Sequence, residues 1–222
     1  MAQHFIREID RLKKMVLTLS AVVEESVHKA VNAIERRDAE LAQRVLDSDI
    51  EVDHMEVDVE EECLKILALH QPVAADLRFI VAVMKLNSDL ERIGDLAGNI
   101  AKRAKFLAKH PRIEIPTQIP AMAEKAQVML KRTLDSLVNM DASMAREVMA
   151  SDDEVDALHK EVGKYVQQLL KTKPEHTEAY IQIFHVARHL ERIGDCASNI
   201  SEDVIYMIDG EIVRHKGDAK SE

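Results

Sequence analysis

The chain has 222 residues, of which 46% are hydrophobic, 32% are charged and only 3% are aromatic. This composition is typical of a helical protein, and the formal net charge of −10 argues against a nucleic-acid-binding protein, which needs clustered Lys and Arg to neutralise phosphates. The longest apolar run, residues 79–84, is far shorter than the roughly 20 residues of a membrane-spanning helix. The polar N-terminus has no signal-peptide core, so a cytoplasmic location is expected. The two cysteines, Cys63 and Cys196, are expected to be small buried residues.

Apolar residues at helical spacing predict six helices, separated by prolines and capping residues. The first two are expected at residues 5–37 and 39–70, with Asp38 as the N-cap of the second. Pro72 marks a turn into a third helix that ends near residue 109. The pattern restarts at 121–140, Asp141 caps a fifth helix ending near 173, and a sixth covers 175–209.

The motif Leu-Glu-Arg-Ile-Gly-Asp occurs at residues 90–95 and again at 190–195. An internal repeat of this length indicates two copies of one supersecondary unit. Residues 110–120 contain three prolines and no helical period, which predicts a linker. The predicted fold is therefore all-α, with two tandem three-helix bundles at residues 1–110 and 121–222, the second with a short C-terminal tail, joined by a linker at 111–120.

Each half carries two pairs of acidic residues spaced four apart, so that both members of a pair share one helix face. The pairs are Asp49/Asp53 and Glu91/Asp95 in the first half, and Asp152/Asp156 and Glu191/Asp195 in the second. In an antiparallel hairpin, residues equally distant from the turn lie at the same height. Turns at Pro72 and Pro174 would therefore bring four carboxylates level in each half, roughly 30 Å from the turn.

Glu91 and Asp95 lie on the opposite side of the third helix from Leu90 and Ile93, so the acidic residues are expected on the surface. Four converging carboxylates repel one another, and a hard cation with oxygen ligands relieves that repulsion. The sequence thus predicts a surface metal site in each half, with iron, zinc, magnesium, manganese and calcium left open. The alternative is a solvated charged face with Arg92 and Arg192 as ion-pair partners.

Two other features of the sequence concern metal binding and helix packing. Glu25/His28 and Glu51/His54 have the spacing of di-iron carboxylate bundles, but neither pair is repeated in the other half, so a buried di-iron oxidase is not expected. Gly94 and Gly194 each lie in the middle of a predicted helix, and small neighbours suggest that another helix approaches closely there. No catalytic triad or Gly-rich phosphate loop is found, so the chain is not predicted to be an enzyme.

The doubled Leu-Glu-Arg-Ile-Gly-Asp motif, the two Ser-Asp-x-x-x-Asp motifs beginning at Ser48 and Ser151, and the Gln71-Pro72 turn resemble the PhoU family of phosphate-transport regulators. The resemblance extends to Arg214 and His215. It implies two three-helix bundles whose repeated acidic motifs hold metal ions.

The same resemblance implies a cytosolic, non-catalytic adaptor, commonly dimeric, that couples a phosphate ABC transporter to a membrane histidine kinase. Such an adaptor restrains phosphate uptake and the phosphate-starvation response. Two alternatives remain open: a metal-dependent phosphohydrolase, which needs an open coordination position, and a metal-storage bundle, which predicts many ions per chain.

Overall fold

The computed structural model describes residues 2–213. Met1 and residues 214–222, which include Arg214, His215 and the end of the predicted tail, lie outside the described residues. Six long helices account for nearly all of the described chain: α1 (Ala2–Arg36), α2 (Ala39–His70), α3 (Ala74–Lys109), α4 (Gln118–Asn139), α5 (Ala142–Thr172) and α6 (Thr177–Asp209). No strand occurs within residues 2–213, so the all-α prediction is confirmed.

The helices pack as two three-helix bundles. Helix α1 packs against α2 and α3, and α4 packs against α5 and α6 in the same way. The two bundles meet chiefly through α3 and α6, with a smaller contact between α1 and α4. The predicted architecture of tandem bundles is therefore confirmed, while the division of the chain at residues 110 and 121 stays a prediction. In residues 2–213, none of the helices has the length and apolar character needed to cross a membrane.

Both predicted N-caps are present. The Asp38 carboxylate accepts hydrogen bonds from the backbone N–H groups of Glu40 and Leu41 at 3.0 and 2.9 Å. Asp141 caps α5 in the same way, through the N–H groups of Ser143 and Met144. These bonds satisfy backbone donors that the first turn of a helix leaves free, so each hairpin begins at a defined residue.

Two helix starts near prolines differ from the prediction, and one of them is α6, which begins at Thr177 rather than at residue 175. Helix α4 begins at Gln118 rather than at residue 121, because Pro120 falls in the first turn, where its missing N–H is not needed. Helix α3 begins at Ala74, after Gln71 takes a left-handed conformation with φ of 45°. Between α5 and α6, Pro174–His176 form a single 3₁₀ turn.

Gly94 permits the close approach of α2 to α3. A methyl group added at Gly94 would lie 3.0 Å from Cγ1 of Val52, which is 2% exposed in the core. At Gly194, the added methyl would lie 3.3 Å from Oδ1 of Asp152. Close helix approach therefore explains both glycines, as predicted. Cys63 and Cys196 are buried, also as predicted, and burial raises the pKa of both thiols to about 12.

Replacing Gly94 by alanine is expected to destabilise the fold. The gain in helix propensity is about 1 kcal/mol, whereas overpacking a filled core costs about 1–3 kcal/mol. We expect Gly94→Ala to lower the free energy of unfolding by about 1 kcal/mol, measured by urea denaturation. Gly163→Ala is the control, because its added methyl meets Phe184 at an ordinary 3.6 Å and should stabilise. A stabilised Gly94→Ala variant would contradict the close approach.

Candidate functional site

The first acidic face consists of Asp49 and Asp53 on α2 and Glu91 and Asp95 on α3. None of the four is buried: Asp53 and Asp95 are exposed, and the other two are half-buried. Repulsion couples Asp49 to Asp95 and Glu91 to Asp53. These partners are symmetrical about Pro72, so the hairpin brings the four carboxylates level as predicted.

The second acidic face consists of Asp152 and Asp156 on α5 and Glu191 and Asp195 on α6. Asp195 is exposed and the other three are half-buried. Asp152 is coupled to Asp195, and Glu191 to Asp156, so this arrangement matches the first face. The prediction that the repeated acids lie on the surface in two level groups is confirmed.

Small residues on the partner helix hold each face together. An added methyl at Gly98 would lie 3.6 Å from Oδ2 of Asp49, so this carboxylate rests against the backbone of α3. Asp152 lies against Gly194 in the same manner. The aspartates of α2 and α5 are thereby partly withdrawn from water and pressed towards the acids of the neighbouring helix.

In both acidic faces, burial and neighbouring carboxylates disfavour the ionised form of the acids. Burial raises the pKa of Asp49, and repulsion from Asp95 and Asp53 raises it further. The pKa of Asp152 is raised to about 6, first by burial and then by Asp195 and Asp156. Burial and neighbouring acids likewise raise the pKa of Glu91, Glu191 and Asp195. A bound cation would favour the ionised form of all of them.

The carboxylate oxygens of the eight acids are not close enough together to form a complete set of metal ligands. No three of the eight acids have carboxylate oxygens within 4.8 Å of one another, and a histidine cluster described below is the only such group in residues 2–213. A cation would therefore have to draw the carboxylates inward. The donor chemistry fits a hard cation, but metal binding by the eight acids stays a prediction.

Each face has one further potential ligand that the sequence analysis missed. Glu56 follows Asp53 by three residues and repels Glu91, and its Oε1 accepts a hydrogen bond from Asn87 Nδ2 at 3.3 Å. His159 takes the corresponding place in the second face, with Nδ1 3.9 Å from Oε1 of Glu191. Both residues extend the helical stripe by one turn, at the same offset as the aspartates, and that spacing could have revealed them.

The structure gives less support to the two alternatives, which are ion pairing of the acids with Arg92 and Arg192 and a buried di-iron site. Arg92 lowers the pKa of Glu91, but by less than burial and the neighbouring acids raise it. Arg192 opposes the raised pKa of Glu191 and Asp195 in the same partial way. The candidate di-iron residues all face solvent, whereas di-iron ligands project into a bundle core: Glu25, His28, Glu51 and His54.

The fold and the two acidic faces define a tandem-repeat helical protein with matched surface carboxylates. The family model described as "PhoU domain" matches the chain twice, at residues 16–104 and 119–204. The chain therefore belongs to the PhoU family, which confirms the resemblance seen in the sequence.

Individual relatives agree with this assignment. A phosphate-specific transport system accessory protein PhoU homolog of Aquifex aeolicus is 37% identical over 210 residues, which is 95% of each chain. The phosphate-specific transport system accessory protein PhoU of Escherichia coli is 31% identical, over 96% of this chain and 88% of that protein. These relatives are named as accessory proteins rather than as enzymes, in agreement with the non-enzyme prediction.

Solved structures show the same fold. The crystal structure of PhoU from Pseudomonas aeruginosa matches with a TM-score of 0.91 at 35% identity, covering 93% of this chain and all of that one. The phosphate transport system regulatory protein PhoU from Streptococcus pneumoniae matches with a TM-score of 0.87 at 31% identity, over 94% and 99% of the two chains.

The raised pKa of Asp152 predicts a pH-dependent cost to stability. The pKa is about 6 in the folded chain, against an ordinary value of 3.8, so ionised Asp152 destabilises the fold above that pH. As pH falls from about 6 to about 4, protonation removes the cost. We therefore expect Asp152→Asn to raise the melting temperature near neutral pH and to have no effect near pH 4.

Glu161→Gln is the matched control for this measurement. Glu161 is exposed on the opposite side of α5 from Asp152, nine residues further along the helix, and its replacement removes the same charge. Thermal unfolding of both variants across the pH range separates the local repulsion from a general change in net charge. An equal stabilisation by Asp152→Asn at both ends of the range would contradict the coupling.

Proposed function

We propose that this protein restrains phosphate uptake and the phosphate-starvation response as a non-catalytic, metal-binding adaptor in the cytoplasm. Its partners would be the ATPase subunit of a phosphate ABC transporter and a phosphate-sensing histidine kinase. Membership of the PhoU family supports a role in phosphate-transport regulation, since relatives over most of the chain are named as accessory proteins of that system.

The two acidic faces supply the surface for this role. They are rigid because their residues lie on long helices with defined caps, and they repeat at matched positions in both bundles. In the proposal, metal ions at these faces neutralise the repulsion and fix the carboxylates, so that a partner helix meets a defined surface. The first face would hold the ion with Asp49, Asp53, Glu91 and Asp95, and the second with Asp152, Asp156, Glu191 and Asp195.

The nature of the ion follows from the donors that each face offers. The first face and Glu56 provide only oxygen, which suits magnesium, manganese or ferric iron. The second face adds the imidazole of His159, which suits zinc or ferrous iron as well. We further propose that the protein acts as a homodimer, as the family resemblance implies.

Metal binding at the first face is tested by converting Asp49, Asp53, Glu91 and Asp95 to their amides. Without metal, this variant should melt at a higher temperature than the unaltered chain, because repulsion is removed. Manganese at about 100 times its dissociation constant should stabilise the unaltered chain by about 2.7 kcal/mol, and the variant less. Differential scanning calorimetry with and without a chelator measures both effects.

The matched control changes Glu51 and Glu61, which are exposed acids of α2 outside the face, to glutamine. It should leave the metal response intact. If manganese stabilised the amide variant and the unaltered chain equally, the first face would not be a metal site. The solvated charged face would then be the better interpretation.

The regulatory role is tested in cells. Changing Glu91, Asp95, Glu191 and Asp195 together to alanine should switch on phosphate-response genes in phosphate-rich medium, because the partner surface is lost. A reporter fused to such a gene measures the effect, and immunoblotting shows that the variant accumulates. The control replaces four exposed acids elsewhere by alanine, for the same charge change: Glu51, Glu61, Asp153 and Glu161. Full repression in the first variant would contradict the proposal.

The partners are tested by purifying the tagged full-length chain from cells with a phosphate ABC transporter. The transporter ATPase and the histidine kinase should both co-purify, and less of each with the alanine variant of Glu91, Asp95, Glu191 and Asp195. Recovery of neither partner would contradict the adaptor role, even if the gene reporter responds. Light scattering of the purified chain tests the homodimer.

A further inference from the structure

A histidine–glutamate–histidine cluster joins the ends of α1 and α2 that lie far from their connecting turn. His4 and Glu8 are one helical turn apart near the start of α1, and His70 is the last residue of α2. Among the described residues, these three form the only group of potential ligands whose donor atoms all lie within 4.8 Å of one another. The cluster is separate from both acidic faces.

Both imidazoles converge on the same carboxylate oxygen. His70 Nε2 contacts Oε2 of Glu8, and His4 Nδ1 lies 3.4 Å from that oxygen. In a tetrahedral zinc site with ligand bonds of about 2.0–2.2 Å, neighbouring ligand atoms lie about 3.4 Å apart. The His4–Glu8 separation already has this value, and a small outward rotation of the His70 ring would complete the set.

The surroundings hold the carboxylate in place for such a role. Glu8 is only 6% exposed, and its other oxygen, Oε1, lies 3.1 Å from Lys65 Nζ. Lys65 also pairs with Glu62, so its ammonium is fixed between two carboxylates. The Phe5 ring packs on the His70 ring with their centres 5.2 Å apart. Contacts of this kind orient metal ligands in known sites.

Satisfying Glu8 does not require both histidines. Lys65 and His70 already occupy the two oxygens of this buried carboxylate. His4 is largely solvent-exposed, yet its Nδ1 lies 3.4 Å from the same Glu8 oxygen that His70 contacts, and the two imidazole rings have their centres 5.9 Å apart. A third donor at this position is better explained by a ligand shared among the three side chains than by the burial of Glu8 alone.

We propose that His4, Glu8 and His70 bind one zinc ion, which clips the start of α1 to the end of α2. Two imidazoles and one carboxylate are a donor set that zinc takes in proteins, and the exposure of His4 leaves the fourth position to solvent. The clip would close a loop of about 60 residues, and it would stabilise the first bundle because the three donors come together only in the folded chain. The proposal does not depend on the regulatory role.

The site would occur once per chain, because the second bundle has no equivalent. At the repeat offset of 103 residues, His4 and Glu8 correspond to positions 107 and 111, which precede the start of α4 at Gln118. His70 corresponds to Lys173, which is not a zinc ligand of this kind. The second bundle therefore serves as a control for zinc binding within the same chain.

The test is zinc titration of the untagged, chelator-stripped full-length chain by isothermal calorimetry. The unaltered chain should show one tight zinc site, and His4→Ala and His70→Gln should each weaken it by at least about 10-fold. His4→Ala removes an exposed side chain, and His70→Gln retains a hydrogen-bonding group for Glu8, so both variants should fold. His28→Ala and His54→Ala replace exposed histidines of the same two helices and should bind zinc normally.

X-ray absorption at the zinc edge distinguishes this cluster from the acidic faces. With one equivalent of zinc, the unaltered chain should show two imidazole ligands, and His4→Ala should not. The first acidic face offers oxygen ligands only, and the second adds the single imidazole of His159. A zinc ion with fewer than two imidazole ligands, or an affinity unchanged within about twofold in both His4→Ala and His70→Gln, would overturn the proposal.

Discussion

The close approach of α2 to α3, and of α5 to α6, is the constraint on which both acidic faces depend. At Gly94 the two backbones come so near that an added methyl would lie 3.0 Å from Val52. A glycine inside a helix costs about 1 kcal/mol relative to alanine, so the fold accepts a local loss of helix propensity at this position. Because glycine is present, the two helices lie near enough for their carboxylates to interact.

Because the helices are so close, the negatively charged carboxylates on their surface repel one another. Asp49 and Asp152 are partly withdrawn from water and lie beside like charges, so the folded chain favours their protonated forms. The repulsion is confined to the surface, because Leu90 and Ile93, on the other side of α3 from Glu91 and Asp95, are both fully buried. A ligand of positive charge, whether a metal ion or a basic partner surface, is the natural complement to such a face.

The repeat is less exact where the two bundles meet. On α6, buried Asp203 lies 3.5 Å from Lys85 of α3. The residue that corresponds to Asp203 in the first bundle, at an offset of 100 residues, is Arg103, whose charge acts on His185 and His189 of α6. Burial and the Arg103 charge lower the pKa of His189 to about 4, so this ring is neutral. The internal symmetry is kept in the acidic faces and relaxed in the packing between bundles, where each half meets a different neighbour.

The sequence alone determined the helices, the caps at Asp38 and Asp141, and the level pairing of the eight acids, because these follow from local spacing and from turns at two prolines. Only the tertiary structure decided which side chains join the faces from beyond the repeated motifs. Glu56 and His159 differ chemically although they occupy matched positions. The cluster of His4, Glu8 and His70 could not be predicted, since His70 is more than 60 residues from the other two and meets them only when α1 packs along α2. Local periodicity shows which residues share one face of a helix. Contacts between helices depend in addition on how those faces are rotated against each other.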